Sequence, residues 1–405
     1  MQTNATVKIK AHHEKRLVEG HPWVFSNEIE NFSSIKNLPA GSLVKIEIFK
    51  QPNFALAYFN PHSLIACRII SYDTNEEINE KFFIKKISQA LNLRQKFFTQ
   101  AEEKFYRLIN SEGDNLAGLI IDRFDNIFIC QISTAGMENL KNFIIGALKN
   151  IFPNCHIIFR NNSELRSLEK LDNLAEFISV DNLPIPEKLT VIDNHIEFQI
   201  DLQNSQKTGW FFDQRINRDF IKNIAKNCDI LDAYCYVGGF GVNAIKAQAR
   251  KVIFADSSTE NLNMAQINAE NALKKYNPNC QVSFYNRKIF ELLEDAEFQK
   301  NSFDVIMLDP PAFIKNKKDF FAGIRGYEKL VKMAVKLLNK NGLIIISSCS
   351  HHASVQDLVL AVQAGINKAS RNARLIRNFG ADIDHPIHPN LKENEYLKCL
   401  TFFVE

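Results

Sequence analysis

The sequence lacks the cysteine spacings that mark a zinc or redox site. Its eight cysteines are scattered, and no two of them form a C-x-x-C pair. Also absent are an apolar run of the roughly 20 residues that span a bilayer and, within Met1–Lys10, an apolar stretch followed by a small-residue cleavage site. We therefore expect no metal site, no membrane association and a cytoplasmic location.

A strong excess of one charge sign is missing as well. The 405 residues include 49 lysines and arginines and 46 acids, so the net charge of +3 neither demands nor excludes a nucleic-acid partner. With 45% hydrophobic and 23% charged residues, the composition is that of a globular protein and not of a disordered or fibrous one. The length predicts two or three domains, because it exceeds what one hydrophobic core usually supports.

The first part of the chain is dominated by short strands separated by turns. Over residues 1–73 they predict a small β-barrel, with strands at Thr6–Lys10, Gly41–Phe49, Phe54–Phe59 and Leu64–Ser71. A helix near residues 79–98, followed by mixed strands and helices, predicts a central α+β domain over residues 74–187. Pro184 and Pro186 mark its end, because proline interrupts helices and central strands.

From Asp229 onward the pattern becomes a regular alternation of strands and helices. The predicted strands are Ile230–Ala233, Lys251–Ala255, Gln281–Tyr285, Asp304–Leu308 and Gly342–Ser348. Such alternation builds a parallel sheet covered by helices on both faces, here an α/β domain over residues 188–405. Ligands of such sheets bind at the carboxyl ends of the strands, so functional residues are expected there.

Two of these strand ends indicate a nucleoside ligand. The strand that ends in Asp232 continues into a loop with Gly238 and Gly239, and glycines let the backbone approach a bulky ligand. The loop does not have the G-x-G-x-x-G spacing of pyrophosphate-binding loops, which favours a ligand without phosphates over a plain tight turn. Asp256 ends the following strand, where it can accept hydrogen bonds from ribose hydroxyls or, alternatively, cap a helix.

A third strand ends in the turn Asp309-Pro-Pro-Ala-Phe313. The prolines stiffen the turn, so that Asp309 and the carbonyl of Pro310 can accept hydrogen bonds from an exocyclic amine of a base. The alternative is a proline-terminated strand with a solvated aspartate. We favour the base-binding interpretation because of the two neighbouring strand ends.

Cys349 follows the next strand and is a candidate nucleophile. A thiolate can attack C6 of a pyrimidine, which makes C5 electron-rich enough to accept a methyl group. The alternative, an inert core cysteine, is preferred for Cys235 in the glycine loop. We expect His351 and His352 to lower the pKa of the Cys349 thiol.

One further candidate, Arg215, ends the run Gln206–Arg215 just before the first predicted strand of the parallel sheet. Its guanidinium could bind a carboxylate through two hydrogen bonds. The alternative is a solvated helix start.

Together these segments resemble the bacterial and archaeal family of large-subunit ribosomal RNA cytosine-5 methyltransferases that carry an N-terminal PUA domain. The similarity covers nearly the whole chain and is carried by Glu19–Phe25 with Glu28, Tyr58–Pro61, Cys67–Arg68, Arg107–Arg123, Lys207–Arg215, Asp309–Phe313, Asp384–Pro386 and Tyr396–Lys398. Two positions depart from the family pattern. Ala117 stands where proline is usual, and Asn286-Arg-Lys-Ile-Phe290 has no acid where the family pattern expects one, so Asn286 or backbone groups would have to recognise adenine.

The resemblance implies a multidomain protein with a PUA-like β-barrel that docks RNA, a central α+β domain and a Rossmann-like class I methyltransferase domain. Its implied cofactor is S-adenosylmethionine and its implied partner is ribosomal RNA, with a homodimer left open. Cys349 would add to C6 of an extruded cytosine while Asp309 holds N3 or the amino group. The implied cofactor-binding residues are Arg215, Asp232, Tyr234, Gly238, Gly239, Asp256 and Asp309. The implied substrate-binding residues are Pro310, Pro311, Phe313 and Lys315.

Three other functions are weighed against this one. An amino-group methyltransferase acting on guanine or adenine uses the same D-P-P turn and needs no cysteine. An RNA-binding ribosome-assembly factor with weakened catalysis would fit the missing acid near Lys288. A dehydrogenase is least favoured, because the phosphate-binding glycine spacing is absent. The lysines at 315, 317 and 318 would contact RNA phosphates or form a solvated loop.

Overall fold

The computed structural model describes residues 5–98, 102–173 and 177–405. Two compact units divide the chain, one formed by Met1–Pro186 with Ile383–Asn394 and the other by Glu187–Asp382 with Glu395–Glu405. A short C-terminal segment, Ile383–Asn394, therefore belongs to the first unit although its neighbours in sequence belong to the second. The division into domains at residues 73 and 187 stays a prediction.

Two five-stranded sheets are found in the described part of the first unit. The first sheet has the strand order β1-β3-β4-β5-β2 and corresponds to the predicted β-barrel. Its strands are β1 (Thr6–Lys8), β2 (Trp23–Phe25), β3 (Ser42–Ile48), β4 (Gln51–Phe59) and β5 (Ile65–Ser71), with the short helices α1 (Lys15–Val18) and α2 (Phe32–Ile35). Strand β2 was not predicted, because three residues are too few to show an alternating pattern.

The second sheet has the order β10-β9-β8-β7-β6 and packs with helices α3 and α5. Its elements are α3 (Glu80–Arg94), β6 (Phe105–Asn110), β7 (Leu119–Phe124), β8 (Ile127–Ile132), α4 (Ala135–Asn139), α5 (Lys141–Ile151), β9 (His156–Phe159), α6 (Leu165–Leu168) and β10 (Ile178–Ser179). The two sheets share one hydrophobic core, which Leu56, Tyr58 and Ile70 of the first sheet enter. The Tyr58 hydroxyl donates to the carbonyl of Ala117, the residue that replaces the usual proline.

The segment Ile383–Asn394 is held in the first unit by hydrogen bonds to buried groups. The Asp384 carboxylate accepts from the Arg107 backbone N–H at 2.9 Å, and the Asp384 carbonyl accepts from the Arg94 guanidinium at 2.8 Å. Gly113 has to be glycine there, since a Cβ would lie 1.8 Å from the Pro386 carbonyl oxygen. The Asp384–Pro386 motif is therefore part of the packing of the first unit.

A β-hairpin and a seven-stranded sheet form the described part of the second unit. The sheet order is β15-β14-β13-β16-β17-β19-β18, in which β13 to β17 are parallel and β19 is antiparallel to both of its neighbours. The strands are β11 (Lys188–Asp193) and β12 (Ile196–Asp201) of the hairpin, then β13 (Asp229–Ala233), β14 (Lys251–Asp256), β15 (Gln281–Asn286), β16 (Phe303–Leu308), β17 (Leu338–Ser348), β18 (Ala373–Phe379) and β19 (Lys398–Val404). The helices are α7 (Arg215–Phe220), α8 (Gly239–Lys246), α9 (Thr259–Tyr276), α10 (Ile289–Glu294), α11 (Phe320–Val335) and α12 (Val355–Lys368).

The predicted parallel sheet is thereby confirmed, and its strands β13, β14, β16 and β17 are largely buried, whereas β15 is partly exposed. The order in which the chain adds strands to the sheet reverses beside β13, which has β14 on one side and β16 on the other. In open α/β sheets the ligand crevice lies at such a point, beyond the carboxyl ends of the strands. The candidate residues Asp232, Asp256, Asp309 and Cys349 all lie at carboxyl ends of these central strands.

In the ranges 5–98, 102–173 and 177–405, no helix has both the length and the apolar character needed to cross a membrane. Those same ranges contain no group of three His, Cys, Asp or Glu side chains that could hold a metal ion.

Candidate active site

Asp232 lies behind the glycine loop and holds it in place. Its carboxyl group is buried and accepts a hydrogen bond from the Gly241 backbone N–H at 2.7 Å. Burial, which is opposed by this hydrogen bond, raises the pKa of Asp232 to about 7. Gly241 is required for close packing of α8 on the sheet, since a Cβ would lie 2.2 Å from the Phe254 ring.

The glycine loop itself has a strained backbone. Tyr234 and Tyr236 have φ angles of 63° and 51°, and Gly238 has a φ of 87°. Non-glycine residues in this left-handed region cost about 1–3 kcal/mol each, and such residues cluster at functional sites. Two hydrogen bonds hold the strained loop: the Tyr236 N–H donates to the Asp256 carboxylate at 3.0 Å, and the Tyr236 hydroxyl donates to the Gly209 carbonyl at 2.8 Å.

Asp256 presents a partly exposed carboxylate at the end of β14. One oxygen accepts from the Tyr236 N–H at 3.0 Å and the other from the Ser258 N–H at 2.9 Å, which fixes the orientation of the group. Burial raises its pKa, although these hydrogen bonds oppose the shift. An oriented carboxylate of this kind retains lone pairs for two ribose hydroxyls.

The surroundings of the predicted adenine pocket contain Asn286 and Lys288. The Asn286 amide is already engaged, since it donates to the Asp256 carbonyl at 3.2 Å and accepts from the Thr259 hydroxyl at 2.9 Å. The Lys288 side chain is 77% exposed and lies 3.5 Å from the Glu291 carboxylate. Of the two substitutes predicted for the missing acid, backbone groups are therefore favoured over the Asn286 amide.

Arg215 lies in an internal ion-pair network, and its predicted role as a carboxylate ligand stays a prediction. Its side chain is 5% exposed, its Nε donates to Asp193 at 3.3 Å, and an Nη atom lies 3.7 Å from the Asp382 carboxylate. Asp193 comes from the hairpin that precedes the parallel sheet, and it also accepts from the Trp210 indole N–H at 2.9 Å. Sequence spacing did not reveal this internal ion pair, because Asp193 and Asp382 are distant from Arg215 along the chain.

Arg218, one helical turn later, is a better candidate for a carboxylate ligand. It also pairs with Asp193, and its guanidinium lies over the Trp210 ring at 4.5 Å. Its Nε is buried and has no hydrogen-bond partner among the described residues. This atom would lie 3.7 Å from a Cβ built on Gly239, so the unsatisfied donor is next to the glycine loop.

These residues fit S-adenosylmethionine, the cofactor implied by the resemblance. A buried donor without a partner suits the cofactor carboxylate, and the oriented Asp256 carboxylate suits ribose hydroxyls. The backbone of Gly238 and Gly239 carries no side chain that would block a bulky ligand. The Arg218 donor, the Asp256 carboxylate and the glycine backbone, all around one loop, therefore fit different parts of the cofactor.

Asp309 follows β16 directly and is held by a chain of amides. Its carboxylate accepts from the Gln214 side-chain N–H at 3.1 Å, and that same nitrogen donates to the Ser347 hydroxyl at 3.1 Å. The Asn217 side-chain N–H donates to the oxygen of the Gln214 amide at 2.8 Å, which fixes its orientation. Burial, followed by the negative charge of Asp213, raises the pKa of Asp309 to about 7.

The remaining predicted substrate residues surround the D-P-P turn. Pro310 is buried, Pro311 and Lys315 are exposed, and Phe313 is half-buried. The Phe313 ring packs on the Tyr327 ring with centroids 4.7 Å apart, and this contact anchors the turn to α11.

Cys349 lies one residue beyond β17, and β17 pairs with β16. This adjacency is as predicted, since Leu308 pairs with Ile346 and the two strands end side by side. Cys349 is partly exposed, whereas Cys235 is buried. Among the described cysteines only Cys228 shares this partial exposure.

The pKa of the Cys349 thiol is raised, first by burial and then by the charges of Asp309 and Asp213, while the charge of Lys207 lowers it. The effect of His351 and His352 on this pKa stays a prediction. The His351 ring packs against the Tyr396 ring at 5.5 Å.

The loop that carries Cys349 is fixed from two sides. The Tyr327 hydroxyl bonds to the Ser348 hydroxyl at 2.8 Å. The buried Lys398 ammonium donates to the carbonyls of Ser350 and Ala353 at 2.7 and 2.9 Å. A partly exposed thiol in a rigid loop beside a partly exposed carboxyl group can act as a positioned nucleophile.

Sequence reasoning missed several of these residues. Gln214, Asp213 and Lys207 lie in the run Lys207–Arg215, of which only Arg215 was assigned a role. Lys398 lies in a family motif that was noted without a function. Tyr327 is part of a helix and has no signal in the sequence that would have identified it.

Comparison with known proteins shows the family of the chain. The sequence profile of the S-adenosylmethionine-dependent methyltransferases matches residues 160–402, and that of a PUA-like domain matches residues 7–72. The chain is 32% identical, over 95% of its length and 96% of the relative's, to ribosomal RNA large subunit methyltransferase I of Aliivibrio fischeri.

Two solved structures share the fold over 98% of this chain and all of theirs at 20% identity. One is described as a SAM-dependent methyltransferase from Streptococcus mutans, with a TM-score of 0.81, and the other is the methyltransferase SMU.776 complexed with SAH, with a TM-score of 0.83. The chain therefore belongs to the family of class I S-adenosylmethionine-dependent methyltransferases with an N-terminal PUA-like domain, the family that includes ribosomal RNA large subunit methyltransferase I.

Proposed function

We propose that this protein methylates C5 of a cytosine in large-subunit ribosomal RNA in the cytoplasm. The observation that carries the proposal is Cys349, a partly exposed thiol at the strand end next to Asp309. Methylation of a ring carbon needs a nucleophile that activates the base, whereas methylation of an amino group does not. The identity with the large-subunit methyltransferases of Aliivibrio supports the class of substrate.

Cys349 and Asp309 have separate roles in this reaction. The thiolate of Cys349 forms a bond to C6 of the extruded cytosine, and the electron pair of the C5–C6 bond makes C5 nucleophilic. Asp309 holds N3 or the amino group, with Gln214 orienting its carboxyl group. Bound S-adenosylmethionine supplies an electrophilic methyl group. A base then removes the C5 proton, and the electron pair of the S–C6 bond returns to Cys349 as the thiolate leaves.

The geometry of the glycine loop supports a proposal for the cofactor contacts. Asp256 accepts from the ribose hydroxyls, and the loop at Tyr234, Gly238 and Gly239 lines the cofactor, with Asp232 holding the loop from behind. Arg218 takes the place of Arg215 as the partner of the methionine carboxylate, because its Nε is the donor next to the loop.

Asp256→Asn is expected to weaken S-adenosylmethionine binding about 10-fold or more, because an amide keeps the shape but offers one acceptor oxygen in place of two. Isothermal titration calorimetry measures the dissociation constant. Asp229→Asn is the matched control, since that acid lies at the opposite end of the same sheet and pairs with Arg250. Equal affinity in the wild type and Asp256→Asn would remove Asp256 from the cofactor site.

The decisive test of the function is the chemical identity of the product. Ribosomal RNA that lacks the modification is incubated with the full-length protein and S-adenosylmethionine, digested to nucleosides and analysed by mass spectrometry. We expect 5-methylcytidine. A methylated amino group on guanosine or adenosine would favour the amino-group methyltransferase, and cofactor binding without any methylated nucleoside would favour the assembly factor.

An exposed aromatic and basic surface follows the D-P-P turn and suits single-stranded RNA. Phe321, at the start of α11, is 73% exposed, and exposed basic side chains surround it in sequence, at Lys315, Lys317, Lys318 and Arg325. Proteins bind single strands by stacking bases on aromatic rings and placing lysines and arginines near the phosphates. This surface is therefore proposed to hold the nucleotides that flank the target.

Phe321→Ala is expected to raise the KM for RNA roughly 10-fold, with S-adenosylmethionine affinity unchanged, because stacking contributes about 1–3 kcal/mol per base. Steady-state methyl transfer at several salt concentrations measures the effect. Leu360→Ala, on the exposed face of α12, removes a comparably exposed apolar side chain (58%) and should leave the KM unchanged. An equal rise of KM in both variants would argue for general destabilisation in place of stacking.

A further inference from the structure

Lys207 lies near the reacting groups and has no role in the function proposed above. Its backbone is left-handed, with a φ of 50°, and Gly209 follows with a φ of 110°. A lysine in this region costs free energy that the surrounding structure has to supply, and such costs recur at functional sites. This backbone conformation therefore indicates a functional role for the Lys207 side chain.

Two aromatic rings direct the Lys207 ammonium group. Its nitrogen lies over the Phe211 ring, 4.9 Å from the centroid, and 6.0 Å from the centroid of the Tyr396 ring. The Tyr396 hydroxyl donates to the Asp213 carboxylate, and the Tyr396 ring packs against His351, two residues beyond Cys349. This cluster of Lys207, Phe211, Tyr396 and His351 extends to the cysteine loop.

The charged and titratable groups that face Cys349 come from several elements. The carboxyl groups of Asp309 and Asp213 and the phenol of Tyr327 disfavour a thiolate there, since each can only add negative charge. Two lysines favour it, namely Lys207 and Lys398. The Lys398 ammonium is buried and directs hydrogen bonds to two backbone carbonyls, so it serves to fix the loop.

We propose that Lys207 acts through Cys349 by stabilising the thiolate that starts and ends the reaction. This inference rests on the proposed cysteine mechanism. The thiol proton of Cys349 leaves to water, and the positive charge of Lys207 then stabilises the thiolate. The thiolate electron pair then forms the S–C6 bond. When that bond breaks after methyl transfer, the electron pair returns to sulfur beside the same ammonium group.

The effect is measured on the thiol itself, without RNA and without cofactor. The full-length protein is alkylated with iodoacetamide across a pH series, and peptide mass spectrometry reports the rate at Cys349. Lys207→Met is expected to slow alkylation of Cys349 roughly tenfold at pH 7 and to move its midpoint to higher pH. Lys207→Arg keeps the charge and is expected to restore most of the wild-type rate.

Two controls separate this effect from a loss of structure. Cys228 is also partly exposed and the charges that act on it come from Asp229, Arg250 and Asp304, so its alkylation in the same samples should not change. Lys336→Met removes an exposed lysine at the end of α11 and should match the wild type. If the pH midpoint of Cys349 alkylation were unchanged in Lys207→Met, while Cys228 was alkylated at the wild-type rate, the inference would be overturned.

If Lys207→Met does not fold, Lys207→Gln provides the second neutral variant, and equal alkylation of Cys349 in Lys207→Gln and Lys207→Arg would equally overturn the inference. Analysis of the methylated product tests the proposed function separately from these alkylation measurements. A dependence of Cys349 alkylation on Lys207 together with a product other than 5-methylcytidine would support the charge pair and refute the proposed function.

Discussion

Cys349→Ala is expected to abolish formation of 5-methylcytidine, with a loss of at least about 10⁴-fold in kcat/KM, while S-adenosylmethionine binding stays at the wild-type level. Removal of a covalent nucleophile has effects of this size, because no neighbouring group can form the adduct in its place. Methyl transfer to RNA from radiolabelled cofactor measures the rate, and calorimetry measures binding. Cofactor affinity should be retained because Cys349 has no part in the proposed contacts of the glycine loop.

The matched control is Cys228→Ala, since Cys228 is the other partly exposed cysteine among the described residues. It lies just before β13, at the opposite end of the strand from the ligand crevice. Wild-type activity is expected for this variant. If Cys349→Ala still produced 5-methylcytidine, the cysteine mechanism would be excluded.

Asp309→Asn is the second substitution with a large expected effect, a loss of about 10²–10³-fold in kcat/KM at pH 7, as is typical when one positioned polar group is removed from a reacting centre. Gln214 would lose its carboxylate acceptor, and the substrate would lose a group that can bind as acid or as base. The same methyl-transfer assay reports the loss. Asp304→Asn, at the amino end of β16, is the control, because Asp304 bonds to the Asp229 N–H away from the crevice.

The pH dependence distinguishes the two roles left open for Asp309. With a pKa raised to about 7, the carboxyl group is half protonated at neutral pH. If its neutral form donates to N3, the rate levels off above pH 7, because the donor is lost while the Cys349 thiolate gains. If its ionised form accepts from the amino group, the rate rises more steeply below pH 7. In Asp309→Asn only the rise due to the thiol remains, since an amide does not titrate.

Local pattern predicted much of the second unit, because strands and helices alternate regularly there and most of the parallel strands are buried apolar runs. The predicted strand Gln281–Tyr285 and the observed β15 (Gln281–Asn286) differ by one residue, and the other central strands of the sheet were also located. Adjacent strands end at one edge of a sheet, so the closeness of Asp309 and Cys349 followed from strand order. Resemblance to a family then supplied the expected cofactor.

Contacts between residues that are distant in sequence could not be predicted from local pattern. The ion pairs of Arg215 with Asp193 and Asp382 bring together residues far apart in sequence, so the same motif was compatible with a guanidinium facing a ligand. The hairpin β11–β12, which supplies Asp193, was also missed. Strands β18 and β19 were not located either. Strand β18 is largely exposed along an edge, so it shows no continuous apolar run of the kind that marked the central strands.

The sequence by itself determined the fold class, the loop and turn that characterise the methyltransferase, and the cysteine that selects the proposed chemistry. All of these depend on residues that are close together along the chain or on the order of strands. Only the tertiary structure brought the unsatisfied Arg218 donor next to the glycine loop, and only there do Lys207 and Lys398 come close enough for their charges to act on the Cys349 thiol. Charge and burial act through space, so the charge of Lys207 acts on a thiol 142 positions away in the chain.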